Sequence, residues 1–391
     1  MIPIPQPLAR RTPLGWLQLS HEKGRLLVAL AGIAFADVLM FMQMGFQNSL
    51  FVSNTQLHRS LNADIVLLSP QARNLQALST FTRRRLYQAE DIPGVQSAEP
   101  VYVSTLNWKN PQTKRETVVQ VLGFNPDRPA LNLPGLKQLL PQVKQPNTFL
   151  FDRGARGDYA QTFAQIDRGQ AVQTEAQRRT ITISGLFQMG ASFGADGTLI
   201  TSDQNFLLQF PRWQAGSINL GLIQLDPGAD PAQVVAALND HLPADVRALT
   251  LEQFIAFETA YWQVRSPVGF IFGLGTAMAF VVGVVIVYQV LSTDVNAHIR
   301  EYATFKAMGY QNRYLLGVVF EEAIILALFG FIPGAILPVG LYALTRSATA
   351  LPVFMTTSRA ITVFLLTVVM CTLSGAIATR KLQSADPADM F

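Results

Sequence analysis

Charge is scarce in this chain. Only 14% of its 391 residues are Asp, Glu, Lys or Arg, against 49% hydrophobic. That is too apolar for one soluble domain and too long for a bare helical bundle, so several membrane spans plus one soluble domain is the economical reading. Cysteine is rarer still. Cys371 stands alone, so no intrachain disulfide can form and a domain outside the membrane must be held by its own core. Cys371 itself lies in an apolar run and reads as a small hydrophobe in the bilayer. No Gly is followed by Lys, which excludes the phosphate-cradling loop G-x-x-x-x-G-K-(S/T). The four histidines, His21, His58, His241 and His298, never fall into H-E-x-x-H, and no G-x-S-x-G elbow occurs. The loose cluster Gly190, Gly194 and Gly197 reads as a turn. These absences leave no catalytic, metal or cofactor residue to nominate. The net charge of +4 includes no basic stripe interleaved with aromatics, so no nucleic-acid partner is expected.

What the chain has is four long apolar runs, each of a length to cross a bilayer, which takes about 20 residues. The organisation expected is a segment 1–25 on the inner face, with a short interfacial helix around Trp16, and a first span 26–50. A soluble domain 51–266 comes next, then spans 267–291, 315–342 and 360–379. A charged segment 292–314 joins the second and third spans, a loop 343–359 joins the third and fourth, and a tail 380–391 closes the chain. No small-residue cleavage site follows Asn48, so the first run reads as an uncleaved span rather than a signal peptide. Arg300, Lys306 and Arg313 put the connection between spans two and three on the cytoplasmic side by the positive-inside bias. Both termini then lie inside and the large domain outside.

Several span residues stand out. Asp37 falls near the bilayer midplane, counting about 1.5 Å per residue from Leu26. A carboxyl there costs on the order of 3 kcal/mol, so it is expected to be neutral or hydrogen-bonded and to face protein. Gly275, Ala279 and Gly283 form a small-xxx-small face, the pattern that lets helix backbones approach, and are expected to form a dimer seam. Glu321 and Glu322 lie one to two turns from the cytoplasmic end of the third span, and Pro333 and Pro338 are expected to kink its outer half.

The soluble domain reads as α+β with two lobes. Strands are predicted at Asp64–Ser69, Val101–Trp108, Thr117–Phe124, Thr148–Phe151, Arg179–Ile183, Thr198–Thr201, Ser217–Leu225 and Val246–Leu249. The second and third make an antiparallel hairpin around Lys109-Asn-Pro-Gln112. Helices are predicted at Thr82–Ala89, after Ser202, and from Asp230 with Pro231 at its first position through Leu242. Leu131–Asn147 reads as an excursion out of the first lobe. Arg83, Arg84 and Arg85 read as a solvated helix face. Leu251–Val264 has helical periodicity and is expected to run on into the second span as a continuous stalk, with Pro267 as a kink.

A helix between two spans can neither enter the lipid nor fold a core, so it must lie at the membrane surface, open to a soluble partner. Arg300-Glu301-Tyr302-Ala303-Thr304-Phe305-Lys306-Ala307-Met308-Gly309 resembles the coupling helix of the MacB/FtsX superfamily of ABC-transporter permeases. It departs from that pattern at Tyr302, where Ile is commoner, and at Tyr310. The stretch Trp16 to Asp37 resembles the start of the DevC branch, known from cyanobacterial exporters, and Ser384-Ala385-Asp386-Pro387-Ala388-Asp389 is similar to the superfamily's tail.

The resemblance implies four transmembrane helices with a periplasmic core domain between the first two, in the inner membrane. It also implies a homodimer with no ATP site of its own, each copy docking a DevA-like ABC ATPase that binds ATP and Mg. His298, Arg300, Glu301, Tyr302, Phe305, Lys306, Met308 and Gly309 would form the docking segment. Phe305 and Met308 would fill a cleft on the ATPase, and Arg300, Glu301 and Lys306 would orient the helix. A DevB-like membrane-fusion adaptor, a TolC-like outer-membrane duct, membrane lipids and a glycolipid-like cargo are implied in turn. Two other branches of the superfamily offer rival roles: FtsX-like control of cell-wall hydrolases, and extraction of lipoproteins.

Overall fold

The computed structural model describes residues 23–299, 301, 304, 308 and 312–383, with the side chains of 312–315 and 380–383 excepted. The expected interfacial helix around Trp16 and the tail after Gln383 lie outside the described residues. The chain divides into two units. One comprises residues 49–269 with 346–352, and the other gathers the apolar helices.

Four described helices are long and apolar enough to cross a membrane: α1 (Lys23–Ser60), α8 (Pro267–Ala297), α9 (Asn312–Thr349) and α10 (Thr357–Gln383). Many of their large apolar side chains are exposed, among them Phe270, Ile271, Val281, Ile336 and Leu365. Apolar exposure on this scale is foreign to a surface facing water and suits one facing lipid. The inward faces share one core in which Ile33, Ala36, Leu291, Ala323, Leu326, Met370 and Cys371 are fully buried.

The boundaries differ from the sequence reading at two places. Helix α1 carries no proline and does not stop near residue 50; it continues to Ser60, and its last twelve residues belong to the soluble unit. Helix α9 runs through Pro333 and Pro338 to Thr349, so the connection to α10 is shorter than the 343–359 expected.

The soluble unit is built on nine strands in the order β11-β1-β10-β3-β4-β8-β5-β7-β6. In chain order these are β1 (Ile65–Leu68), β3 (Val95–Lys109), β4 (Glu116–Phe124), β5 (Thr148–Asp152), β6 (Val172–Ala176), β7 (Arg179–Phe187), β8 (Thr198–Ser202), β10 (Leu220–Leu225) and β11 (Arg247–Thr250). A two-stranded ladder pairs β2 (Phe81–Thr82) with β9 (Ser217–Ile218). The fifteen-residue β3 organises the sheet. Its first half pairs with β10 and its second with β4, and Trp108 near its end bridges Ala176 of β6. That bridge closes the ring β3-β4-β8-β5-β7-β6.

Period-two alternation explains why both sheet faces are dry. On β1, Ile65 and Leu67 enter one core cluster while Val66 and Leu68 enter the other, and all four are fully buried. Such near-continuous apolar strands are the mark of a sheet covered on both sides. Within the ring, Trp108 stacks on Phe151 with centroids 4.5 Å apart, and its Nε1 donates to the Tyr159 hydroxyl at 3.0 Å.

The helices of this unit are α2 (Arg84–Glu90), α3 (Leu136–Leu139), α4 (Ala160–Asp167), α5 (Asp203–Gln209), α6 (Pro231–His241) and α7 (Leu251–Ala260). Their starts obey capping chemistry. Ser202 accepts from Asn205 N, Asp230 from Ala232 N, and Thr250 with Gln253 makes a reciprocal capping box. In α2, Arg85 pairs with Asp245 at 2.9 Å. The strand expected over Ser217–Leu225 is split at Asn219, whose buried side chain accepts from Val103 N at 2.8 Å.

One expectation is overturned. The continuous stalk from Leu251 into the second span does not exist. After Ala260 the chain makes one π-helical turn over Tyr261–Arg265, Ser266 adopts an extended conformation (φ −88°, ψ 135°), and α8 begins afresh at Pro267. Proline lacks the N–H that would continue the ladder and biases the residue before it toward extended backbone, so Ser266-Pro267 is a helix boundary.

Candidate functional site

Two groups of residues are the candidates: the segment after α8, and the polar and small residues buried among the apolar helices. In the segment, His298 closes α8. Its backbone N–H donates to the Asp294 carbonyl at 3.1 Å, and its ring Nδ1 lies 3.7 Å from the Asp294 carboxylate. Glu301 is exposed, as is Met308 with 61% of its surface open, and Met308 N donates to Thr304 O at 3.0 Å. An exposed methionine offers an adaptable apolar contact. Arg300, Tyr302, Phe305, Lys306 and Gly309 lie outside the described residues.

Among the helices, Asp37 is fully buried and accepts a hydrogen bond from Thr367 Oγ1 at 2.6 Å. Gly334 of α9 comes so close that a Cβ there would stand 2.7 Å from the Asp37 Cβ. Asp37 therefore sits where three helices of one chain meet. Glu322 is also fully buried, both its oxygens without a hydrogen-bond partner, and the charged groups acting on it are Asp294 and Glu321. Glu321 beside it is half-buried. Sequence reading passed over Thr367 and Asp294. A threonine in an apolar run carries no signal, whereas an Asp one turn before His298 at the end of such a run was there to be noticed.

The small-residue face is placed otherwise than expected. A Cβ on Gly275 would stand 2.6 Å from the Gln43 side chain of α1, and one on Gly283 would stand 2.9 Å from the Ala36 Cβ and run into Met370 of α10; Ala279 between them is buried. Gly275 and Gly283, expected at a seam between two copies, face helices of their own chain. Helix α1 is the centre of this packing, since it also receives Ile286 at Gly32 and presents Ile33 to Gly330. Near its other end the Tyr342 hydroxyl donates to the Phe41 carbonyl, and Arg359 lies over the Tyr342 ring at 5.5 Å.

In the soluble unit the buried charges tie loops together. Asp152 at the end of β5 accepts from the backbone N–H groups of Gly154, Met189 and Gly190 at 2.7–2.9 Å. Burial holds its carboxyl above the usual range, and those three donors oppose the shift. Arg156 donates to Asp196, Ser192 O and Thr349 O at 2.7–3.1 Å, which fastens the segment 346–352 after α9 to the domain. Glu258 is fully buried; it accepts from Leu75 N and Trp262 Nε1 at 2.9 and 2.8 Å and lies 3.6 Å from His58 near the end of α1. No group of three or more His, Cys, Asp or Glu that could hold a metal ion occurs among the described residues.

The comparison with known families matches this arrangement along most of its length. The MacB-like periplasmic core domain matches residues 26–241, more than half of the chain, and the FtsX-like permease C-terminal domain matches residues 273–387. The chain is a MacB/FtsX-like permease. Members of this family are permease subunits of ABC transporters and typically work with an ABC ATPase. The apolar helices and the periplasmic core domain together mark an inner-membrane protein with a periplasmic domain. Among solved structures the permease is similar to the periplasmic region of MacB from Actinobacillus actinomycetemcomitans, at 9% identity and a TM-score of 0.35, over 52% of this chain and 94% of that one. It is also similar to the extracellular domain of the noncanonic ABC-type transporter YknZ from Gram-positive bacteria, at 10% identity and 0.32, over 48% of this chain and 100% of that one. None of the curated proteins compared matches it.

Proposed function

We propose that the permease is the membrane subunit of a DevC-type ABC exporter, working as a homodimer with one ATPase docked on each copy at residues 298–310. The observation that carries this reading is where the soluble unit sits in the chain: after the first apolar helix, with a short charged segment as the break between the second and third. That segment is the part of the apolar half built to be gripped by a soluble engine. ATP-driven closure of the two ATPases pushes the segments. The push tilts the helices, and α1, which is unbroken from Lys23 to Ser60, carries it into the periplasmic domain. The domain halves on either side of β3 act as the two lobes that move. A membrane-fusion adaptor and a TolC-like duct receive the cargo, a glycolipid or similar hydrophobic molecule, on the periplasmic side. The permease itself performs no chemistry, and ATP and Mg are held by the partner.

The test is at Phe305. A Phe305→Asp variant puts a charge where the reading needs an apolar plug, and burying an unpaired carboxylate costs several kcal/mol. Co-purification with the ATPase should fall at least tenfold while the amount of folded permease in the membrane is unchanged. A variant that still binds and stimulates its ATPase defeats the docking assignment.

A further inference from the structure

In the soluble unit two cations act on one another, and among the described residues neither has an acid as its ion-pair partner. Arg247 of β11 lies with its guanidinium 4.6 Å from the centre of the Phe257 ring of α7. Its Nε and Nη2 are buried and have no hydrogen-bond partner, although more than nine in ten buried polar groups in folded proteins have one. The charged neighbour acting on it is another cation, Arg265, and burial followed by that repulsion lowers the Arg247 pKa. Four arginines elsewhere in the unit have acid partners: Arg85 has Asp245, Arg128 has Glu99, Arg153 has Asp167 and Arg156 has Asp196. What sets Arg247 apart is burial: its unpartnered donors and its cationic neighbour make the pair a place where the fold holds positive charge together and the counter-charge comes from outside.

The position of the pair in the chain says where that counter-charge is. Arg265 is exposed and lies two residues before Pro267, the first residue of an apolar helix of membrane-crossing length. The turn that carries it also holds Tyr261 and Trp262, packed edge to face at 5.4 Å, and Val264 with 82% of its surface open. Tyr and Trp beside an exposed aliphatic at the end of a span are the composition of the headgroup layer. The abundant anion in that layer is lipid phosphate, and the planar guanidinium fork matches two phosphate oxygens at once. Arg265 is exposed and presents that fork, while Arg247, half-buried with Nε and Nη2 closed off, adds its charge from behind. We propose that Arg247 and Arg265 form a binding site for the phosphate of an anionic phospholipid in the leaflet on the soluble unit's side. The lipid would seat β11 and the Tyr261–Arg265 turn against the membrane. This holds whatever the cargo and whatever drives the cycle.

The experiment uses the full-length permease in nanodiscs of phosphatidylcholine with and without phosphatidylglycerol. Lipids retained per chain are counted by native mass spectrometry, and the unfolding midpoint of the soluble unit is followed in parallel. The wild type should retain phosphatidylglycerol over phosphatidylcholine by about fivefold or more and unfold several degrees higher when it is present. Arg265→Gln, at an exposed position where folding is not at risk, should abolish both effects. Arg247→Lys, which keeps the charge but loses the guanidinium held over Phe257, should reduce them. Added glycerophosphoglycerol or inorganic phosphate should reproduce neither effect. Unchanged preference in Arg265→Gln overturns the site, and stabilisation by the free phosphates alone overturns its assignment to a membrane lipid.

Discussion

Tyr159 shows how much a single hydroxyl holds in the ring of strands. It is almost fully buried, it receives the Trp108 Nε1 proton, and its ring meets Phe151 edge-on at 4.9 Å. Tyr159→Phe keeps the ring contacts and strands a buried indole N–H, a loss of about 1–3 kcal/mol. The hydroxyl also sets a pH dependence. Burial raises the Tyr159 pKa above its ordinary value of 10.0, because the fold favours the neutral phenol. The resulting stabilisation is fully present below pH 10 and is lost as pH rises through the folded-state value. Unfolding midpoints measured from pH 7 to pH 11 should therefore fall at the alkaline end in the wild type, and less steeply in Tyr159→Phe. Tyr102, raised for the same reason, keeps the slope from vanishing. An equal alkaline slope in the variant would remove Tyr159 from this account. None of this was visible in the sequence. Val101–Trp108 was legible as a strand, but its pairing with β6 depends on Val172–Ala176, a five-residue stretch too short and polar to announce itself.

At the scale of elements, local chemistry was the legible part. The caps Ser202 and Asp230 and the alternation on β3 and β4 each act within a few residues, and each could be read in place, whereas Pro267, read as a kink, is a full break. What a stripe faces is decided by tertiary packing. The Gly275, Ala279, Gly283 face has the same pattern whether it meets a second copy or its own chain, and here it meets α1 and α10. This difference can be measured. Gly283→Ile forces a branched side chain against the Ala36 Cβ and Met370, and overpacking of this kind costs about 1–3 kcal/mol. In detergent the variant should unfold at a lower temperature, and the shift should not depend on protein concentration. A shift that grows on dilution would return the face to a dimer seam. The charged segment between the second and third apolar runs stands out by composition alone.

At the scale of the whole molecule, the exporter proposed above needs an element that carries movement from the apolar helices to the soluble unit. The sequence suggested the entry to α8, because Phe254, Phe257 and Tyr261 keep helical spacing up to the second apolar run. Ser266 leaves helical geometry and Pro267 restarts it, so no axial push passes that point as through a rod. Helix α1 does the opposite. It spans roughly 57 Å at 1.5 Å per residue, of which about 30 Å suffices to cross the hydrocarbon. The remainder is fixed in the soluble unit, where Ser60 O accepts from Asn132 N at 2.7 Å and His58 packs on Phe254. Two glycines inserted between Asn48 and Ser49 should therefore uncouple the machine. Each added residue rotates the helix beyond it by about 100°, and Gly weakens the helix by about 1 kcal/mol apiece. Transport should be lost while ATPase docking and the fold of each unit persist. The same two glycines between Ser266 and Pro267 fall at an existing helix boundary, where the local bond at stake is the cap from Val268 N to Ser266 Oγ at 3.2 Å, and most of the transport should survive. If both insertions cost the same, movement is shared between the two junctions and α1 has no special part in it.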